Sequence, residues 1–223
     1  MASNLVRAAQ PQIRKSAFPL YDTVKLGGSG TINAQTIRLF QNGQGSLADG
    51  FTTAPGKTAA ETNLARNGGL PLGQSYLVRS FGVSIWASDI SGAPSSSGSA
   101  FSTGYDVEQI ARDAVVSYTS GALKQTYGPA IMFPAGFGIV GQQLGNDSTS
   151  STGTTDFYGG SINNNGFPAS GARYRLSEPI ILTDGQSFSW EVEFPEQLTL
   201  LVTSGYYRLQ IGLFGESFQE VTQ

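Results

Sequence analysis

Between Gln186 and Phe194 the chain alternates strictly. Phe188, Trp190, Val192 and Phe194 are apolar, and Ser187, Ser189, Glu191 and Glu193 between them are polar. A period of two marks a strand with one face in a core and one in water. Two neighbouring runs share the pattern. Arg173 to Leu182 precedes it, with Asp184-Gly185 between, and Tyr207, Leu209, Ile211 and Leu213 alternate with Arg208, Gln210 and Gly212 after it. The C-terminal end therefore reads as a meander of antiparallel strands.

The turn at Asp184-Gly185 sets a register for the first pair. A two-residue loop would place Glu178 opposite Glu191, and facing like charges destabilise a ladder. A type I turn over Leu182-Thr183-Asp184-Gly185, with Gly185 as a G1 bulge, shifts the pairing by one. Ile180 then faces Phe188, Leu176 faces Val192, Tyr174 faces Phe194, and Arg175 meets Glu193. This register leaves Glu178 opposite Trp190, on the apolar face.

A chain of 223 residues is long enough to bury a sizeable core. Only 13% of it is charged, against about 25% in ordinary globular domains. Its surface must be made polar by Ser, Thr, Asn, Gln and Gly. That suits a loop-rich β protein, or one whose surface is buried between subunits, where interface centres are depleted of charge. The net charge of −3 is uneven. Residues 1–25 carry Arg7, Arg14, Lys15 and Lys25 against Asp22, a net +3, while nine basic and fifteen acidic residues leave the remainder at −6. A basic terminus on an acidic body is either a solvated tail or an arm that meets nucleic acid, anionic lipid or an acidic neighbour.

The chain has no Cys and no His. No disulfide staples it, and nucleophilic schemes that need a His base, like His metal sites, are excluded. No apolar run near the N-terminus resembles a secretory leader. The uncharged stretch Gln125–Asn146 is interrupted by Pro129, Pro134 and several Gly, and does not read as a membrane span.

In chain order, residues 1–15 read as an irregular arm, and Ser16–Leu26 as a strand that Pro19 confines to an edge. Gly27-Gly28-Ser29-Gly30 is a turn. It is not a phosphate loop, because no Gly-Lys-Ser/Thr follows and Thr31–Phe40 reads as a strand. Gln41–Asn67 is mostly loop. Gln74–Trp86 is a strong strand with bulky residues at both parities, predicting a central strand covered on both faces. Its opening, Gly73-Gln74-Ser75-Tyr76, echoes Gly185-Gln186-Ser187-Phe188, which we read as shared turn chemistry and not duplication. Ser88–Gly104 is a Ser/Gly/Pro loop. Asp106, with Gln109 three residues on, reads as the capping box of one short helix. Val107, Ile110, Ala111, Ala114 and Val115 form its apolar stripe, and Glu108 pairs with Arg112 on the outside. Val116–Tyr127 and Ile131–Val140 read as further strands, and Gly141–Ala172 as a long loop of the kind that is functional or disordered, read here as held by its neighbours.

Few residue groups suggest chemistry. Glu191, Glu193 and Glu196 resemble the Glu-x-Asp-x-x-Glu strand of β-sandwich glucanases, whose paired carboxylates cleave glycosidic bonds, but Glu193 stands where that family has Asp and no row of stacking Trp accompanies it. The plainer reading is a charged strand face that discourages edge pairing. Asn146, Asp147, Asp156 and Asn163 offer calcium-type oxygens without a calcium-loop spacing. Asn146-Asp147-Ser148 is a glycosylation sequon. Trp86, Trp190, Tyr206 and Tyr207 are candidates for a sugar platform, with Trp190 placed in the core by its alternation. No residue is expected to be catalytic, and no metal or cofactor is expected.

About eight strands, one short helix and an N-terminal arm (1–15) ahead of a single domain (16–223) predict an all-β, antiparallel two-sheet sandwich of jelly-roll type. Leu70-Pro-Leu-Gly-Gln-Ser-Tyr, the strand ending at Trp86, Pro179 with Asp184-Gly185-Gln186-Ser187-Phe188, Phe194-Pro195 and Tyr206–Gly215 resemble single jelly-roll capsid proteins of small tailless icosahedral viruses, chiefly bacteriophages. The resemblance spans residues 70–215. It implies a virion shell subunit, assembled in the host cytoplasm. Such a subunit self-associates and meets other virion proteins, and it has no small-molecule substrate. Arg7, Arg14 and Lys15 are then the expected arm contacts to genome, internal membrane or a neighbouring subunit. The alternative is a carbohydrate- or receptor-binding sandwich of a virion spike, fibre or lectin-like protein, and behind it a glycoside hydrolase using Glu191 and Glu196.

Overall fold

The computed structural model describes residues 12–28, 30–88, 99–134, 173–203 and 205–221. Its strands are β1 (Gln12–Ser16), β2 (Leu20–Gly27), β3 (Thr31–Ile32), β4 (Gln35–Leu39), β5 (Gln74–Ser88), β6 (Val115–Ser120), β7 (Leu123–Pro129), β8 (Tyr174–Leu182), β9 (Phe188–Phe194), β10 (Leu198–Thr199) and β11 (Tyr206–Val221). One helix, α1 (Ser99–Asp113), lies between β5 and β6.

Every ladder among the described residues is antiparallel. In one sheet β11 is flanked by β5 on one side and by β2 and β1, in tandem, on the other, with β8 outside β5. The second sheet runs β4-β9-β6-β7, and β3 and β10 form a two-residue ladder. Without the short β1, β3 and β10, eight principal strands remain. The first pairs with the last, the second with the seventh, the third with the sixth and the fourth with the fifth. Two more ladders, β11 with β5 and β9 with β6, fold this ribbon across itself. The result is a two-sheet antiparallel sandwich with one core, and Leu209, Ile211, Leu213, Trp190 and Val192 are fully enclosed in it.

Several expectations change. Residues 173–182 and 186–194 do not form a hairpin. β8 pairs with β5 and β9 with β4 and β6, so the Asp184-Gly185 turn carries the chain from one sheet to the other. The expected facing pairs are absent: Arg175 lies opposite Ser80, and Glu193 opposite Thr36 and Val115. Stacking the two apolar faces brings Trp190 within 4.5 Å of Phe81, ring centre to ring centre. Side-by-side pairing would have left both faces in one sheet without a covering layer. Residues 176–179 bulge out of the β5–β8 ladder, which leaves Glu178 exposed and not facing Trp190.

β5 is central, as expected, but not because both of its faces are covered. Tyr76 and Val78 are buried at one parity, and Phe81 and Val83 at the other. The register slips between Val78 and Ser80 against β8, and between Phe214 and Gly215 against β11. The bulge swaps the inward face mid-strand, so a single core face occupies both parities. Gly215 is required there, since a Cβ would lie 1.8 Å from the Leu77 carbonyl oxygen.

Residues 116–127 are a hairpin, β6 and β7, turned at Gly121-Ala122. Ala130–Met132 is a 3-10 turn and not a strand, and 135–140 lie outside the described residues. α1 begins seven residues before Asp106, so Asp106 is no helix cap. Its buried carboxylate instead accepts the N–H groups of Leu201 (2.8 Å) and Val202 (2.9 Å) and the Tyr207 hydroxyl (2.6 Å). It pins the loop before β11 to the helix. The Glu108–Arg112 pair forms, at 2.6 Å. Residues 12–15, counted with the arm from sequence, lie on the sheet as part of β1.

Candidate functional site

A groove of about 680 Å³ runs along one open side of the sandwich. β2 and β3 form one wall and β4 the other. Asn33, Gln35, Gln41 and Asn42 line it with amides, and Lys25, Arg38 and Asp49 add charge. The segment 41–67 borders its end. It is not a loose loop, because it closes over the edge of β2: Lys25 N–H donates to the Asp49 carbonyl (2.9 Å) and Tyr21 N–H to Asn63 Oδ1 (2.9 Å). Gly50 presses so close that a Cβ would sit 2.5 Å from the Lys25 carbonyl oxygen.

Under this segment lies a group of buried charges. Lys57 is fully enclosed, and its Nζ donates to Asp22 Oδ1 at 2.8 Å and stands 2.6 Å from Asp49 Oδ2. Asp22 Oδ2 accepts the Phe40 N–H at 2.6 Å, and Asn42 Nδ2 donates to Asp49 Oδ2 at 3.1 Å. Burial pushes the Asp22 carboxyl above its usual range, against the pull of Lys57. The two positive-φ non-glycine residues among those described, Phe40 (66°) and Asp49 (56°), both touch this group. Such strain persists only where the surroundings enforce it. Beside the trio, Lys25, Lys57 and Arg208 surround the Phe51 ring at 4.9, 6.0 and 5.9 Å from its centre. Arg208 Nη1 also donates to Glu61 Oε1 at 2.7 Å. Burial works to raise Glu61, but the Thr58 hydroxyl and N–H, with Arg208, outweigh it and hold the carboxyl below its ordinary value.

Sequence reasoning missed this trio. One signal was readable: on β2, Asp22 falls in phase with Leu20, Val24 and Leu26, so a carboxylate occupies an inward position. Lys57 and Asp49 lie in aperiodic sequence and give no such cue.

The predicted candidates are not brought together. Glu191 is buried on the outer face of a central strand, where Arg38 Nε (3.1 Å) and Lys124 Nζ (3.2 Å) both reach it. Its bond to Lys124, joined by Glu193 at 3.4 Å, holds the Lys124 ammonium above its usual range. β9 is an interior strand, so these carboxylates form a cross-strand ion network and do not guard an edge. Trp190 and Tyr207 are core residues, Trp86 is half-buried and Tyr206 lies at the surface, so no four-residue platform exists. Arg14 and Lys15 stand on β1, where Lys15 Nζ pairs with Glu216 at 3.0 Å. Arg7, the sequon, the calcium-type oxygens and the loop 141–172 lie outside the described residues. Among the described residues no cluster of three or more Asp or Glu could hold a metal ion. No family model matches the chain, nor does any curated protein or solved structure.

Proposed function

We propose that this chain is a self-assembling shell subunit of an icosahedral virion, built as a single jelly roll and acting through its surfaces. The strand order carries the reading. An eight-strand ribbon paired first-to-last and folded across itself is the construction of a double-Greek-key jelly roll, and the principal strands here follow that order.

The surface supports it as well. Ile13, Leu72 and Ile181 are each more than three-fifths exposed and flank one end of the β1–β11–β5–β8 sheet. Gly73 N–H donates to Asp184 Oδ2 and Glu220 N–H to the Gly73 carbonyl, which draws Leu72 to the same end. A contiguous apolar patch marks a contact surface, and these three are the residues proposed to lie in one. Part of the charge is paired within the fold, as in the Arg38–Glu191–Lys124 network and the Lys57 trio. The basic segment ahead of β2 is the part proposed to reach genome, lipid or another copy.

The test is assembly of the purified chain, followed by light scattering and negative-stain electron microscopy. Closed shells or capsomer-sized rings are expected. Charged substitutions at Leu72 and Ile181 should lower the assembled fraction at unchanged fold.

A further inference from the structure

We propose that Lys57 and Asp49 condense spontaneously into an intramolecular isopeptide bond, with Asp22 as the proton carrier. The inference concerns the chain's own chemistry and holds whatever the chain assembles into.

The Lys57 nitrogen is held in contact with the Asp49 carboxylate. Lys57 Nζ is 2.6 Å from Asp49 Oδ2 and 2.8 Å from Asp22 Oδ1, and both the Lys57 and Asp22 side chains are wholly out of water. Reactants fixed in contact need no further loss of translational freedom. The trio also carries one positive and two negative charges in a desolvated place, an arrangement that costs free energy. An amide in place of the Lys57–Asp49 pair removes two of the three.

The two carboxylates differ in the way the step needs. Asp22 is fixed on β2 by the Phe40 N–H, and burial raises its affinity for a proton. Asp49 sits on the covering segment, where the Asn42 amide donates to its Oδ2 and holds it in place. Asp49 also lines the groove, which gives the released water a way out.

The step balances without a co-reactant. Asp22 takes a proton from the Lys57 ammonium and passes it to one Asp49 oxygen, and the neutral amine then attacks Cγ of the neutral Asp49 carboxyl, forming the N–C bond. A second proton passes from the nitrogen to that oxygen by the same route, the C–O bond breaks, and water leaves. The products are a secondary amide, one water and the Asp22 carboxylate in its starting form. Asp22 contacts the reacting atoms and is catalytic in this sense, and Asn42 is a positioning residue.

The experiment is intact-mass spectrometry of the full folded chain, denatured just before injection, followed by a tryptic map. The expected mass is lower than the sequence mass by one water. Trypsin should fail to cut after Lys57, giving a 39–66 peptide lighter by one water, with the link between residues 49 and 57 by fragmentation. Lys57→Arg and Asp22→Ala should each restore the full expected mass. A wild-type chain that is folded, by its β-sheet circular dichroism, and still carries its full sequence mass after days would overturn the proposal, whether or not the variants fold. A 16–25 peptide joined to 39–66 would overturn the roles given to the two carboxylates, since Lys57 would then be bonded to Asp22.

Discussion

Three side chains do work out of proportion to their number. Trp190 packs on Phe81, stacks on Tyr127 at 5.4 Å and meets Tyr118 at 5.7 Å, tying the two sheets together. Trp190→Ala should cost about 3–5 kcal/mol by denaturant titration, the range for emptying a core aromatic site. Asp106 satisfies two backbone N–H groups and a buried tyrosine. Asp106→Ala removes the acceptor of all three and should cost about 3 kcal/mol or more, most of it recovered by Asn if one oxygen suffices. Glu61 contributes a stability that acid removes. Its folded value lies below the ordinary 4.5, so it adds stability above that pH and loses it as pH falls through the folded value. Asp22 is shifted up and works the other way, favouring the fold as its proton binds. Thermal scans should therefore show a smaller acid loss of stability below about pH 4.5 in Glu61→Gln than in the unsubstituted chain. An unchanged profile in Glu61→Gln would remove Glu61 from that role.

At the scale of elements, the bulge at β5 and β11 is the feature that fixes which parity faces the core. Gly215→Ala would drive a Cβ into the Leu77 backbone. A flexible side chain could yield, but a paired strand cannot, so the variant should lose about 3 kcal/mol or more, or fail to fold. β1 gives a cleaner dissection. A chain lacking residues 1–11 keeps β1 paired to β11. Deleting 1–15 should lower the denaturation midpoint below that of this shorter deletion, because the edge of β11 from Phe218 to Val221 is bared. Equal midpoints in the two deletions would show that β1 contributes nothing. The same elements show what sequence could carry. The strands at Phe188 and Tyr206 were legible because strict alternation has one backbone solution, and the one at Gln74 because a run of β-branched and aromatic residues suits a strand. The pairing of β8 with β9 was misread because alternation says which face is apolar but not which sheet the strand joins. The bulge in β5 looked like two covered faces because a phase slip and a second apolar face write the same residues. The Lys57 trio was half legible, in Asp22 alone, since its other members come from segments without a period.

At the scale of the whole molecule, the account rests on surfaces. A sandwich whose charges are partly paired within the fold, with Ile13, Leu72 and Ile181 exposed at one sheet end, is suited to bury those residues against copies of itself. Leu72→Asp and Ile181→Asp should shift the assembled fraction while changing monomer stability by no more than about 0.5 kcal/mol, as exposed substitutions do. A covalent clamp at Lys57 would add a resistance to unfolding that salt and pH do not remove, useful to a shell built once and then exposed. The most direct test of the central claim is the mass distribution of the purified native chain by light scattering, with negative-stain images of the same sample across salt and pH. The account predicts closed shells or regular rings of many copies. A monodisperse monomer at high concentration under every condition would contradict it.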